Sequence, residues 1–237
     1  MSVRIGTSGY NYPAWKGTFY PTDLPSTKML PYYAERFSTV EINATFYRMP
    51  TAKILAGWSG ATPATFVLAL KAPQRITHFG RLRDVDEPLR LFCDLALTLG
   101  PKLGPLLFQL PPNFRKDVDR LANTLVQLPP GLRAAFEFRH ESWLCDDVYD
   151  VLRARNVALC IADGETASTP LVATADFGYL RLRDEGYADG DLVRWAGTIR
   201  GFGERWRETF VYFKHEESGT GPAFARTLTD LLAAGAA

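Results

Sequence analysis

Eight short apolar runs recur along the chain, and segments with helical periodicity separate most of them. A strand that is followed by a helix and then by another strand is typical of parallel pairing, because the helix returns the chain to the starting edge of the sheet. The eight runs are VRIGTS (3–8), TVEINAT (39–45), FVLALK (66–71), LLFQL (106–110), AAFEFR (134–139), VALCIA (157–162), GYLRLR (178–183) and TFVYFK (209–214). The pattern predicts an α/β fold of the (β/α)8 type, a TIM barrel. A doubly wound open sheet is the alternative.

Apolar residues at helical spacing predict the helices between these strands. The strongest patterns cover 84–100, 117–128 and 222–235, and weaker ones cover 146–155, 191–200 and 51–60. The segment after the sixth run, GETASTPLVATADF (164–177), has little helical character. We therefore expect an irregular sixth β-to-β connection.

Length and composition favour one globular domain that covers residues 1–237. The chain is 46% hydrophobic and 22% charged, which is far from the composition of a disordered protein. The first residues, MSVRIGTSGY, lack the apolar core of a signal peptide, and no apolar run is long enough to span a membrane. We expect a cytoplasmic protein without membrane contact, and the sequence predicts no oligomeric state.

One face of a barrel strand meets the helices, and the other face fills the interior. In FEFR (136–139), Phe136 and Phe138 suit the helix-facing side, so Glu137 and Arg139 should point inward. The polar residues that this alternation sends inward are Glu41, Asn43, Lys71, Gln109, Glu137, Arg139, Arg181, Arg183, Tyr212 and Lys214. Most of them lie near the C-terminal ends of the strands, where TIM-barrel active sites are built.

The predicted interior carries more positive than negative charge. Its cations are Lys71, Arg139, Arg181, Arg183 and Lys214, and its carboxylates are Glu41 and Glu137. Desolvating an unpaired charge is unfavourable, so we expect a small anionic ligand at the mouth of the barrel. The alternative is a structural network of ions that compensate one another.

Several long stretches carry a resemblance to a known family. They are GTSGYNYPAWKGTFYP (6–21), VEINATFYRMP (40–50), FVLALKAPQRITH (66–78), LLFQLPPNF (106–114) and FEFRHESW (136–143). In these stretches the chain resembles the YecE-like family, also called domain of unknown function seventy-two. The resemblance implies a TIM barrel and no established activity. Relatives tend to show Arg-Leu-His-Gly and Tyr-Phe-Asn-Asn where this chain has RLRD (181–184) and YFKH (212–215), so this chain adds two basic residues.

Lys71 is the candidate for covalent chemistry. Desolvation and neighbouring cations would lower the pKa of its amine and leave it nucleophilic. Glu41 or Glu137 would then act as general acid or base, and these three residues are the catalytic candidates. The alternative is that Lys71 simply pairs with Glu41 on the adjacent strand.

Arginine side chains can bind a phosphate or carboxylate with two hydrogen bonds, so they lead the set of ligand-binding candidates. The set is Asn43, Tyr47, Gln109, Arg139, Trp143, Arg181, Arg183 and Lys214. The segment SGTGPAFAR (218–226) puts two glycines before a helix after the eighth strand, where TIM barrels often bind phosphate. An ordinary loop is the alternative for that segment.

Aromatic residues follow the first, second and fifth predicted strands on the same side of the barrel. They are Tyr10, Tyr12, Trp15, Phe19, Tyr20, Phe46, Tyr47 and Trp143. Such side chains can stack on a sugar ring or a nucleobase. The alternative is a hydrophobic lid whose members pack against one another.

The histidines offer an alternative to anion binding. His78, His140 and His215 lie at or just after predicted strand ends, and Asp163 is a further possible ligand. No histidine pair has metal-ligand spacing, and cationic neighbours would repel a metal ion. We therefore predict no cofactor, with a divalent metal at these residues as the alternative.

These observations favour an enzyme, a hydrolase or lyase that acts on a small phosphate- or carboxylate-bearing anion. The net charge of +1 gives no general attraction to nucleic acid. A nucleic-acid-binding or metal-dependent phosphodiester-cleaving barrel is the second interpretation. A non-catalytic ligand-binding protein is the third.

Overall fold

The computed structural model describes residues 1–164, 169–184, 186–217 and 219–235. Its strands are β1 (Ser2–Thr7), β2 (Thr39–Ile42), β3 (Val67–Lys71), β4 (Leu103–Gln109), β5 (Ala134–Glu137), β6 (Ala158–Ala162), β7 (Phe177–Leu182) and β8 (Glu208–Phe213). They pair in parallel in the order β1-β8-β7-β6-β5-β4-β3-β2, so the sheet wraps into a nearly closed barrel. The predicted eight strands and the TIM-barrel fold are confirmed.

The helices follow the strands along the chain, with two after β2 and none in the described residues after β6. They are α1 (Ser26–Ala34), α2 (Ala44–Tyr47), α3 (Ala52–Gly60), α4 (Asp86–Leu97), α5 (Val118–Val126), α6 (Asp146–Arg153), α7 (Asp189–Gly201) and α8 (Thr220–Ala234). Two of them, α1 and α2, were not predicted, and the predicted second strand ends early because α2 begins at Ala44. After β6, residues 165–168 lie outside the described part, and 169–176 contain neither helix nor strand. That stretch agrees with the irregular connection predicted there.

The alternation of side chains divides the apolar residues into two clusters. The helix-facing side includes Val40, Ile42, Leu68, Leu70, Phe136, Phe138, Leu180, Leu182, Val211 and Phe213. A smaller cluster fills the lower barrel and is made of Val67, Ala69, Leu107, Ala135, Ala158, Cys160, Phe177, Tyr179, Phe210 and Tyr212. Many of these inner residues are small, as expected for a narrow barrel interior. The inward positions above this cluster carry the polar residues.

The seam between β1 and β2 is joined differently from the other strand pairs. One bridge connects Ser8 with Glu41, where the Gly9 amide donates to the Glu41 carbonyl at 2.8 Å. Below it the Tyr33 hydroxyl of α1 accepts from the Thr7 amide at 2.8 Å and lies 3.2 Å from the Thr39 carbonyl oxygen, to which it donates. The Tyr33 hydroxyl thus bridges two backbone groups that a regular strand ladder would join directly. The two strands approach so closely that a Cβ atom at Gly6 would clash with the Thr39 backbone.

Candidate functional site

Arg181 lies at the centre of the polar upper barrel. Its side chain is 1% exposed, and it bridges two fully buried carboxylates that come from opposite parts of the barrel. Nη1 donates to Glu137 Oε2 at 2.5 Å and to Gln109 Oε1 at 3.2 Å, and Nη2 donates to Glu41 Oε1 at 2.9 Å. Burial alone would lower the pKa of Arg181, but the two carboxylates raise it well above its ordinary value. The guanidinium therefore stays charged and holds β2, β4, β5 and β7 together at this level.

Glu41 has both carboxylate oxygens engaged. Oε1 accepts from Ser8 Oγ and from Arg181, and Oε2 accepts from the Tyr179 hydroxyl at 2.6 Å. Asn43 Nδ2 in turn donates to Ser8 Oγ at 2.8 Å. Ser8 Oγ donates its proton to Glu41 and uses its two lone pairs to accept from Arg181 and from Asn43. Glu41 is thus fully buried and accepts hydrogen bonds from three side chains.

Glu137 is shared by three arginines. Besides its bond to Arg181, Oε1 accepts from Arg139 Nε at 2.5 Å and lies 3.9 Å from Arg183 Nη1. The side chains of Arg139 and Arg183 are 30% and 19% exposed, so both reach the mouth of the barrel. Burial raises the pKa of Glu137, but Arg181, Arg139 and Arg183 outweigh burial and lower the pKa to about 2. The predicted proximity of Glu137 and Arg139 is present in the structure.

Lys71 ends β3 as a half-buried cation. Its Nζ lies 4.1 Å from the ring centroid of Phe46, and it forms no ion pair with any carboxylate in the described part of the chain. Burial and Arg181 lower the pKa of the amine to about 8, although Glu41 and Glu137 act in the opposite direction. The alternative of a Lys71–Glu41 ion pair is not observed, because Glu41 is occupied by other donors.

Three of the ligand-binding candidates lie outside this network. Tyr47 is 73% exposed on α2, and the Lys214 side chain is 40% exposed, with Nζ 4.0 Å from Glu216 Oε1. Trp143 is fully buried, donates from Nε1 to the Phe114 carbonyl at 2.7 Å and stacks on Phe138 with ring centroids 4.8 Å apart. With no exposed surface, Trp143 supports the end of β5 and does not cover a pocket wall.

The residues named for the metal alternative do not come together. His78 shares a hydrogen bond with Thr77 Oγ1 at 2.9 Å, and His140 Nδ1 accepts from the Ser142 amide at 3.1 Å. His215 Nε2 lies 2.7 Å from the Asp184 carbonyl oxygen. Within residues 1–164, 169–184, 186–217 and 219–235, no group of three or more potential metal ligands is assembled.

Asp163 is turned away from the barrel interior. Its carboxylate accepts from the Arg183 amide at 2.6 Å and from the Tyr187 hydroxyl. Asp163 therefore fastens the end of β6 to the segment after β7. Its contacts are therefore separate from the ion pairs of Glu137, which belongs to β5.

The proposed phosphate loop after β8 is only partly described. Ser218 lies outside the described residues, and α8 begins at Thr220, two residues before the predicted start at Pro222. Gly219 has a φ of 72°, a left-handed conformation that glycine adopts without strain. The described part of the loop provides no evidence for or against the prediction that it binds an anion.

A small cavity lies beside Asn43 on the β1–β2 side of the mouth. It has a volume of about 180 Å³ and is lined by Gly9, Tyr10, Asn11, Tyr12, Ile42, Asn43, Ala44 and Trp58. Tyr10 and Tyr12 were among the predicted mouth aromatics, whereas Trp15, Phe19 and Tyr20 are buried and pack against one another. The aromatic segment after β1 is therefore mainly a packed lid, with two tyrosines left to line a cavity.

Sequence reasoning missed Ser8 and Tyr179 as members of the site. Both bond to Glu41 and both occupy inward positions. Tyr179 lies two residues before Arg181, so the alternation that predicted Arg181 carries the signal for Tyr179 as well. Ser8 directly follows β1, where the same alternation applies one residue beyond the strand.

Known proteins with similar sequences and structures point to one family. The family model described as Protein of unknown function DUF72 matches residues 4–237. The chain is 28% identical over 234 residues to the UPF0759 protein YunF of Bacillus subtilis, covering 91% of this chain and 79% of YunF. It is 30% identical over 139 residues to the UPF0759 protein YecE of Escherichia coli, which covers 58% of this chain and 48% of YecE.

Solved structures agree with these sequence matches. A DUF72 family protein from Thermotoga maritima has a TM-score of 0.86 and 25% sequence identity, covering 98% of this chain and 100% of that chain. A DUF72 family protein from Enterococcus faecalis, with 18% identity and a TM-score of 0.81, covers 98% of this chain and 95% of that chain and shares the fold. No helix in the described part of the chain is long and apolar enough to cross a membrane.

Proposed function

The chain belongs to the DUF72 family, whose description assigns no activity, and from its site we propose that it binds a small phosphate- or carboxylate-bearing anion. The anion binds at the C-terminal mouth of the barrel, and the protein acts on it there as a hydrolase or lyase. The observation that carries the proposal is the uncompensated positive charge around Glu137 and Lys71.

The charge surplus follows from the ion pairs. Both buried carboxylates already bind Arg181, and Arg139 and Arg183 share what remains of Glu137. Lys71 has no carboxylate partner among the described residues. Four cations, Arg181, Arg139, Arg183 and Lys71, therefore stand against two carboxylates, so positive charge is in excess among these described residues. Placing like charges together is unfavourable, and an anionic ligand would remove that penalty.

Arg139 and Arg183 suit the role of anion clamps. Each guanidinium has five N–H donors, and Glu137 Oε1 engages only one side of each group. Arg183 Nε is buried and has no hydrogen-bond partner among the described residues. Phosphate and carboxylate oxygens match this arrangement, because they accept from a guanidinium with two parallel hydrogen bonds.

Glu41 and Glu137 support the clamp and do not transfer protons in this proposal. With a pKa of about 2, Glu137 is too weak a base and too seldom protonated to act as acid at neutral pH. Glu41 has no free carboxylate oxygen. Their role is to fix Arg181, Arg139 and Ser8, so that the cations at the mouth are oriented before a ligand arrives.

Thermal melts with added anions test the proposal. Phosphate and citrate should raise the melting temperature of the protein, because a ligand that binds only the folded state stabilises it by mass action. Arg139→Gln and Arg183→Gln should reduce that rise, while Arg207→Gln, at a side chain that is 87% exposed, serves as the matched control. Equal rises in all four proteins would show that the anions act nonspecifically and that the mouth is not their site.

A DNA titration separates the anion site from a nucleic-acid surface. If the barrel bound nucleic acid through phosphate contacts, its affinity would fall steeply with salt concentration, by a slope set by the number of contacts. We expect the protein to bind a short duplex weakly at physiological salt, and we expect Arg183→Gln to bind the duplex with the same affinity. Tight, salt-dependent binding that Arg183→Gln removes would favour the nucleic-acid interpretation instead.

A further inference from the structure

Lys71 lies at the mouth of the barrel and takes no part in the ion pairs of Glu41 and Glu137. It comes from β3, whereas the ion pairs at this level join β2, β5 and β7. Its Nζ rests 4.1 Å from the centroid of Phe46, an apolar surface that gives a cation–π contact but no hydrogen bond. A primary amine is thus held at the end of a rigid strand with its lone pair or protons directed at no carboxylate of the described residues.

The carboxylate expected to neutralise Lys71 is unavailable. Glu41 accepts from Ser8, Arg181 and Tyr179, so three donors already stabilise its charge. Glu137 binds two arginines directly, with a third nearby. These arginines compete with Lys71 for both carboxylates. The ordinary structural explanation of an inward lysine, an ion pair with a neighbouring strand, therefore does not apply here.

The surroundings of Lys71 increase the neutral fraction of its amine. Burial is the largest influence, followed by Arg181, and together they lower the pKa to about 8 against the opposing charges of Glu41 and Glu137. Lys214 acts in the same direction as Arg181, and burial, followed by Lys71 and Arg139, lowers the pKa of His78. A neutral amine next to anion-binding arginines is the form that attacks a carbonyl carbon.

Resting on the anion site proposed above, we infer that Lys71 forms an imine with a small anion that also carries an aldehyde or ketone. A 2-oxo acid or a carbonyl-bearing phosphate ester has this chemistry. Its anionic group would bind Arg139 and Arg183, and its carbonyl group would lie toward Lys71. The substrate class of the site thereby narrows from anions in general to carbonyl-bearing anions.

The imine step balances without any additional reactant. The Nζ lone pair forms a bond to the carbonyl carbon, and the π electrons of the C=O bond move to oxygen. The two protons of the neutral amine leave with that oxygen as water when the C=N bond forms. When the imine nitrogen takes up a proton from solvent, it withdraws electrons from the neighbouring carbon, which is the property that lyases based on lysine use.

Reductive trapping tests the inference directly. The wild-type protein is incubated at pH 8 with pyruvate, glyoxylate or dihydroxyacetone phosphate and treated with sodium borohydride, whose hydride reduces an imine to a stable secondary amine. Peptide mass spectrometry then locates the adduct. With at least one of the three probes we expect about ten-fold more adduct at Lys71 than at the exposed mouth residue Lys214, because burial and Arg181 lower the pKa of the Lys71 amine to about 8.

Matched variants and probes separate the two proposals. Lys71→Arg keeps the positive charge and should abolish the adduct, whereas Lys214→Arg should leave it unchanged. Lactate has the carboxylate but no aldehyde or ketone, so it should bind without forming an adduct. Acetone has the ketone but no charge, so it should label Lys71 poorly. Absence of an adduct at Lys71 with all three carbonyl anions, or equal labelling of Lys214, overturns the imine inference. If phosphate and lactate still stabilise the protein through Arg139 and Arg183, the anion site stands; if they do not, the proposed function falls with it.

Discussion

Arg181 and Glu137 form an ion pair inside the barrel, with Nη1 2.5 Å from Oε2 and neither side chain more than 1% exposed. A buried pair of this kind contributes little net stability relative to apolar residues, but it is strongly destabilising to break. The same guanidinium also satisfies Glu41. The pair therefore connects the stability of the barrel to the geometry of its mouth.

Arg181→Met should destabilise the protein by about 3–5 kcal/mol or more, because it leaves two buried carboxylates without their shared partner. Urea unfolding followed by circular dichroism measures the change in the free energy of unfolding. Arg207→Gln, at the exposed surface, should change it by less than about 0.5 kcal/mol. A loss at Arg181 no larger than this control would mean that the carboxylates are protonated or hydrated in the folded protein.

Arg139→Ala should weaken anion binding at a small loss of stability. Glu137 keeps Arg181 after the substitution, and the Arg139 side chain is 30% exposed, so we expect a loss of about 1 kcal/mol or less. Melts with and without phosphate give both quantities. A loss as large as that of Arg181→Met, with unchanged stabilisation by phosphate, would assign Arg139 a structural role and exclude the clamp.

Acid should destabilise the protein partly through Glu137. Its pKa is lowered from an ordinary 4.5 to about 2, after Arg181 and the other arginines outweigh the opposing effect of burial. Because the folded pKa lies below the unfolded one, the contribution is fully present above about pH 4.5 and is lost as the pH falls toward 2. The free energy of unfolding should fall less steeply over this window in Glu137→Gln than in the wild type. Parallel pH profiles for the two proteins would contradict the lowered pKa.

Tyr33→Phe should destabilise the barrel by about 1–3 kcal/mol, because it removes the hydroxyl that pairs the buried Thr7 amide and the Thr39 carbonyl. Chemical unfolding measures the loss. Tyr47→Phe deletes the same atom from a ring that is 73% exposed and should be neutral. If both substitutions have equally small effects, the seam is held by other contacts.

The alternation of side chains along the strands predicted which residues point into the barrel. A strand has a period of two, so placing Phe136 and Phe138 against the helices determines the direction of Glu137, and the same argument locates Glu41, Lys71 and Arg181. These residues lie within strands or at their last position. Their convergence follows from the closure of the barrel and needs no knowledge of the loops.

The residues that follow the strands were predicted less well, for a physical reason. Beyond the last ladder hydrogen bond, the backbone no longer imposes alternation, so Tyr47 on α2 and Trp143 in the turn after β5 take directions set by tertiary packing. Helix α1 was missed because Pro31 lies inside it, and proline ordinarily disfavours a helix interior. The identity of the cation that binds each carboxylate also depends on distances across the barrel, which no local pattern encodes.

The hydroxyl of Tyr33 gives the barrel one join that depends on a side chain. Backbone ladders form with almost any sequence, whereas this join exists only after α1 has docked with its ring in place. Closure of the cylinder is therefore coupled to the folding of the first βαβ unit, whose three joined residues lie within one short span of chain. The same seam is the place where transient opening needs the fewest broken backbone bonds, so the Thr7 amide should exchange its hydrogen with solvent faster than the amides of the fully paired strand β7.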